Sequence, residues 1–184
     1  MKKTLLFCVL TLLLACHTGK AQAQTYASVP YFCNFEDSLE NTKWGLPNYP
    51  WQGKWYVGTY VSYDGDHSLY VSGDNGATNI CNSEFSALSN CWAYRDFNLD
   101  TLYPQYVISF KHRGYGRTTP FFGPPDNTTI YDNYTMTPAG SAKLCASAHI
   151  PNDSVWMDYS YTFTVSKPGV YRLYFRWYKA YDDG

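Results

Sequence analysis

Charge is scarce in this chain. Lys, Arg, Asp and Glu make up 16% of its 184 residues, against about 25% in an ordinary soluble domain. No lysine or arginine run occurs, and the formal net charge is −1. Without a basic stripe nothing is available to neutralise phosphates, which argues against nucleic acid and anionic membrane as partners. Glutamate is confined to Glu36, Glu40 and Glu84, and histidine past the N-terminal segment to His67, His112 and His149. The GxSxG, HExxH and P-loop patterns are missing, and with them the local arrangements that usually carry nucleophilic, zinc or phosphoryl chemistry. CxxC zinc spacing is missing too. The chain reads as a non-enzyme. Helical periodicity is nearly absent, with only Ser83–Ser89 (SEFSALS) suited to a turn or two.

Long apolar runs are limited to one. Lys2 and Lys3 precede Leu5–Ala15 (LLFCVLTLLLA), a run of 11 residues. Spanning a bilayer takes about 20, so the run suits the core of a signal peptide. Ala21-Gln22-Ala23 supplies the small-x-small cleavage pattern, which predicts a cleaved leader over 1–23 and one exported domain over 24–184. Leu13-Leu14-Ala15-Cys16 offers the competing reading of a lipobox with Cys16 lipidated. No later run is long enough to span a membrane.

Four cysteines remain beyond the leader, namely Cys33, Cys81, Cys91 and Cys145. An even count in an exported chain reads as disulfides. Cys81 and Cys91 flank a short polar loop and are expected to pair, leaving Cys33 with Cys145.

Aromatic residues are abundant, at 19% of the chain with 19 tyrosines. These residue types favour strands. Tyr159–Val165 alternates apolar and polar side chains without error. Val170–Tyr178 alternates too, with Tyr171, Leu173, Phe175 and Trp177 expected inward and Arg172, Tyr174 and Arg176 outward. A period of two marks a half-buried strand. Lys167-Pro168-Gly169 lies between the two segments, which predicts a hairpin. Tyr31–Phe35, Lys54–Val61, Ser68–Ser72, Ala93–Leu99, Gln105–Lys111 and Ser141–His149 read as further strands, and Gly73-Asp74-Asn75-Gly76 as a tight turn. Gly114–Thr137, rich in Pro, Gly, Asn and Thr, reads as a long loop. About eight short strands with turn punctuation predict an all-β sandwich, and a jelly roll as its arrangement.

The ordered motifs Phe35-Glu36-Asp37, Trp44, Trp55-Tyr-Val-Gly58, Gly65–Ser72, Trp92–Asp96 and Tyr171–Trp177 together resemble the choice-of-anchor J domains, which are similar to cleaved-adhesin modules and more distantly to MAM domains. The resemblance covers the chain from about Pro30 onward. It implies a jelly roll displayed at the cell surface, and no catalysis. It also implies a final segment after Tyr171–Trp177, so the sequence is expected to be a fragment or to lack its last strand. By the same resemblance Glu36 and Asp37 match a structural calcium site near the first strand. Asp64, Asp66, Asp74 and Asn75 sit in glycine-rich turns and are read as turn formers.

For ligand binding, Trp44, Trp51 and Trp55 cluster in WGLPNYPWQGKW. Exposed indole faces stack on sugar rings, whereas buried ones only fill a core. The leading expectation is therefore a secreted or surface-displayed adhesin-like module for glycan or protein. The alternative is a ligand-free spacer or accessory domain of a larger secreted hydrolase.

Overall fold

Alternating aromatic segments bury one face each, and a second sheet must cover that face. The computed structural model describes residues 25–47, 53–81, 89–113, 116–128, 130, 137–144, 148–150 and 155–179. The leader over 1–23 with Cys16, most of the Ser83–Ser89 segment, Trp51 and Cys145 lie outside these residues.

The described residues form an all-β sandwich of antiparallel sheets. In chain order come a one-turn helix α1 (Ser38–Asn41) and strands β1 (Lys54–Gly58), β2 (Ser68–Ser72), β3 (Ser89–Leu99), β4 (Tyr106–His112) and β5 (Gly116–Gly123). Then follow β6 (Ala142–Lys143), β7 (Ala148–Ile150), β8 (Met157–Phe163) and β9 (Gly169–Lys179). One layer is a five-stranded sheet in the order β3-β9-β5-β6, with β7 also on β5. Two antiparallel pairs, β1-β2 and β4-β8, make separate two-stranded sheets. The main core joins Phe97, Leu99, Phe122 and Leu173 of the large sheet to Tyr106 of β4, with Ile108, Tyr161 and Phe163 packed on it. Burying a side chain of this size stabilises by roughly 1.5–3 kcal/mol. No helix among the described residues is long and apolar enough to cross a membrane.

Four expectations from the sequence are corrected. Tyr159–Val165 and Val170–Tyr178 do not pair with each other. β8 pairs with β4 and β9 with β3 and β5, so Lys167-Pro168-Gly169 carries the chain from one sheet to another. β9 is not half-buried, because Arg172, Tyr174 and Arg176 are as buried as Leu173 and Trp177. A second aromatic cluster of Trp92, Phe121, Ile130 and Tyr174 covers that face. The segment read as a loop contains β5, paired along its length with β9. Pro120 is tolerated because the other edge of β5 is interrupted there: β7 covers Gly116–Thr118 and β6 covers Phe121–Phe122. A residue without an N–H belongs where the ladder has a gap. Finally, Tyr31–Phe35 is not a strand, since Phe35 takes a φ of 66°.

On the buried outer face, Arg172 makes a two-point contact with Asp96, Nε to Oδ1 at 2.5 Å and Nη2 to Oδ2 at 2.8 Å. Its Nη1 donates to Asn127 Oδ1 at 2.8 Å, and the guanidinium lies 3.7 Å from the Tyr94 ring centroid. Three of its five N–H donors are thus bonded and its charge is balanced by Asp96, as a buried charge requires.

Candidate functional site

The inward residues of β4 are Tyr106, Ile108, Phe110 and His112. They face the large sheet across a cavity of about 830 Å³. Its floor is Phe97, Leu99, Phe122, Leu173 and Phe175, and one end is closed by Trp44 and Trp55. Aromatic contacts set the walls. Phe110 meets Phe175 edge-on at 5.0 Å and Tyr159 stacked at 5.5 Å, while Trp44 stacks on Phe175 at 6.2 Å. Cavities of this size, largely apolar with a few polar groups, are typical of ligand sites.

Two of those polar groups are orphans. Trp44 Nε1 and His112 Nδ1 are buried and have no hydrogen-bond partner among the described residues, and both side chains line the cavity. An unpaired buried polar atom costs about 1–3 kcal/mol. Burial holds the His112 ring pKa below its ordinary value. Tyr63, Lys111, Trp156 and Asp158 frame one end, with Lys111 Nζ 2.5 Å from Asp158 Oδ1 and 4.6 Å from the Tyr63 ring centroid. The Asp158 contact raises the lysine pKa.

The tryptophans read as a sugar platform are divided. Trp44 and Trp55 line the cavity but are only 8% and 6% exposed, and Trp55 Nε1 donates to the Cys91 carbonyl at 3.2 Å. Neither presents an indole face to solvent, and Trp51 lies outside the described residues.

Glu36 and Asp37 have other work than calcium. Glu36 Oε1 accepts from the amides of Asp66 and His67, both at 2.7 Å, and Oε2 is 2.7 Å from His67 Nδ1. The His67 ring and these amides hold its carboxyl below the usual range. Asp37 caps α1, accepting from Leu39 N at 2.8 Å and Glu40 N at 3.2 Å. Calcium wants six to eight oxygen ligands, and both bonds to Asp37 fall on Oδ1. No group of three or more His, Cys, Asp or Glu residues among the described ones is arranged to hold a metal.

The Glu36–His67 contact sets a carboxylate beside a histidine that lines the cavity mouth, two members of a hydrolytic triad. The third is not assembled: no hydroxyl or thiol is bonded to the ring of His67 among the described residues. Glu40, in a smaller polar pocket, is likewise committed. Burial would raise its carboxyl, but Lys43, Arg95 and Tyr31 outweigh this and hold it low.

The expected Cys81–Cys91 disulfide is not formed among the described residues. Both cysteines join the apolar cluster around Trp55 and Trp177, and Cys91 is a thiol at 1% exposure. Burial, and then Cys81 nearby, pushes its pKa up. Cys33 is a half-buried thiol.

Most of the floor residues read from sequence as ordinary core, which hides the cavity. One signal was available: His112 extends the inward series Tyr106, Ile108, Phe110 by one place, setting a titratable ring on an apolar face. Scanned against models of protein families and against curated proteins, the sequence matches none of either.

Proposed function

We propose that this chain is an exported, non-catalytic, adhesin-like module of the cell surface that binds an extracellular protein by taking apolar side chains into the cavity between its sheets. The observation that carries the reading is the aromatic cavity itself. Its rim adds force: Val29, Phe32, Tyr63, Tyr103 and Val107 all line it and are 38–84% exposed. Exposed apolar residues gathered around one opening mark an interaction site more than a plain surface does. The lining favours protein over glycan, because a sugar needs many polar rim groups and the lining is mostly apolar.

The test uses 1-anilinonaphthalene-8-sulfonate, whose fluorescence rises in apolar sites, on the cooperatively folded chain. Saturable binding is expected, and Ile108→Trp, which fills the cavity from β4, weakens it about tenfold or more, as volume competition in a preformed pocket requires. Leu39→Trp, on the exposed helix α1, leaves it unchanged. Absence of saturable binding, or equal binding by Ile108→Trp, sinks the reading.

A further inference from the structure

We infer that the cavity is a slot for one added β-strand, supplied by a partner polypeptide that pairs with the edge of β4 left open among the described residues. The inference rests on the binding reading above and names the ligand class. A cavity beneath a sheet touches alternate residues of a strand, because successive side chains point to opposite faces. This one is lined by every residue from Gln105 to His112, including the outward Val107, Ser109 and Lys111. Consecutive lining of that kind marks a strand edge, where backbone N–H and C=O groups are presented. β4 has one strand partner among the described residues, β8, and β8 contributes only Asp158 and Phe163 to the lining. Across the gap stand His67, Ser68 and Leu69 at the start of β2.

An unfilled edge beside an apolar trough asks for a ligand with amides in strand spacing and apolar side chains at every second position. A lipid or sugar brings no such ladder. Charge gives the slot a direction. Its charged lining residues other than histidine are Asp64, Lys111 and Asp158, all at the His112 end of β4, where Lys111 pairs with Asp158. Two carboxylates against one ammonium leave that end acidic, while Tyr103 and Val107 make the other end apolar. The incoming strand therefore carries a basic residue at the His112 end.

The test measures binding of a synthetic peptide of alternating valine and threonine, long enough to span β4, with lysine at one end or the other. Its control is the same peptide N-methylated at alternate amides. Saturable binding is expected for one lysine placement, with the correctly methylated peptide at least about tenfold weaker through lost ladder bonds. Val107→Ala and Phe32→Ala, both exposed and harmless to folding, each weaken binding several-fold. Hydrogen exchange of Tyr106–His112 slows on binding. Equal affinity of parent and methylated peptides, with displacement of the dye by both, overturns strand addition while leaving the cavity reading intact. Dye binding without any peptide binding does the same. Loss of dye and peptide binding together sinks both. β4 amides already protected in the free chain would place a segment of the chain itself at the edge and overturn the partner.

Discussion

Asp96→Ala removes the acceptor that holds Arg172 in the buried outer face of the large sheet. Both side chains are 2% exposed, and the carboxylate takes two of the guanidinium's donors. After the substitution, Asn127 and the Tyr94 ring still contact Arg172, but neither carries negative charge. The Coulomb attraction is lost while the desolvation of the cation remains. Breaking a buried pair from one side costs about 3–5 kcal/mol. In a domain of this size that lowers Tm by roughly 6–20 °C. Asp96→Asn keeps an acceptor oxygen and falls between wild type and alanine. The Lys111–Asp158 pair gives the internal comparison, because its side chains are 37% and 76% exposed. Asp158→Ala is expected to cost about 0–1 kcal/mol. Urea denaturation of the three variants, at constant m, decides. A cost for Asp96→Ala below about 1 kcal/mol, level with Asp158→Ala, would refute the argument that burial sets the worth of this contact.

Acid should weaken the fold through His112. Its folded pKa lies below its unfolded value because of burial, so the unfolded chain binds the extra proton. The associated stability is present above about pH 6.5 and falls as pH drops through the unfolded pKa towards the folded one. Denaturation midpoints across that window should slope downward in wild type and flatten in His112→Phe. Gly45→Ala should destabilise by about 1–3 kcal/mol, since an added Cβ would lie 2.0–2.5 Å from Tyr94 ring atoms. Tyr94 cannot swing away with Arg172 stacked on it, and a neutral thermal melt would count against this. In native buffer a thiol-reactive dye should label Cys33 on mixing and Cys91 only with denaturant, given 1% exposure and a raised pKa. Prompt labelling of Cys91 contradicts its burial.

Strand existence was legible because aromatic alternation is a local property. β8 and β4 alternate in exposure as their sequences do. Which strands pair was not local. The turn at Lys167–Gly169 has the residues of a hairpin but connects sheets, and nothing within it distinguishes the two uses. The arginines of β9 mislead for a similar reason: a polar residue every second place means a wet face only when no second layer covers it. Here Asp96 and Asn90, distant in sequence, make burial tolerable. Pro120 argues loop until the break between β6 and β7 is known. At the site, Glu36 and Asp37 carry residue types that suit either a metal or local N–H donors, and here Glu36 bonds Asp66 and His67 while Asp37 caps α1. Trp44 and Trp55, read from sequence as a stacking platform, are buried and line the cavity wall.

The cavity bears on stability as well as on binding. A dry apolar void costs about 24 cal/mol per Å³. For about 830 Å³ that comes to about 20 kcal/mol, above the roughly 5–15 kcal/mol by which whole domains are stable. The space is therefore not a sealed void. It is wet, or something fills it, and in either case apolar walls that meet water gain when a ligand replaces that water. An occupant that binds only the folded chain adds RT ln(1 + [L]/Kd), about 2.7 kcal/mol at a hundredfold excess over Kd. The matching rise in Tm is roughly 5–11 °C. Scanning calorimetry with increasing alternating peptide should show Tm climbing with the logarithm of its concentration, and Ile108→Trp should abolish the climb while raising the starting Tm. If Tm stays flat at saturating peptide, or if Ile108→Trp lowers the starting value by overpacking, the inner face of β4 is already filled in the native chain.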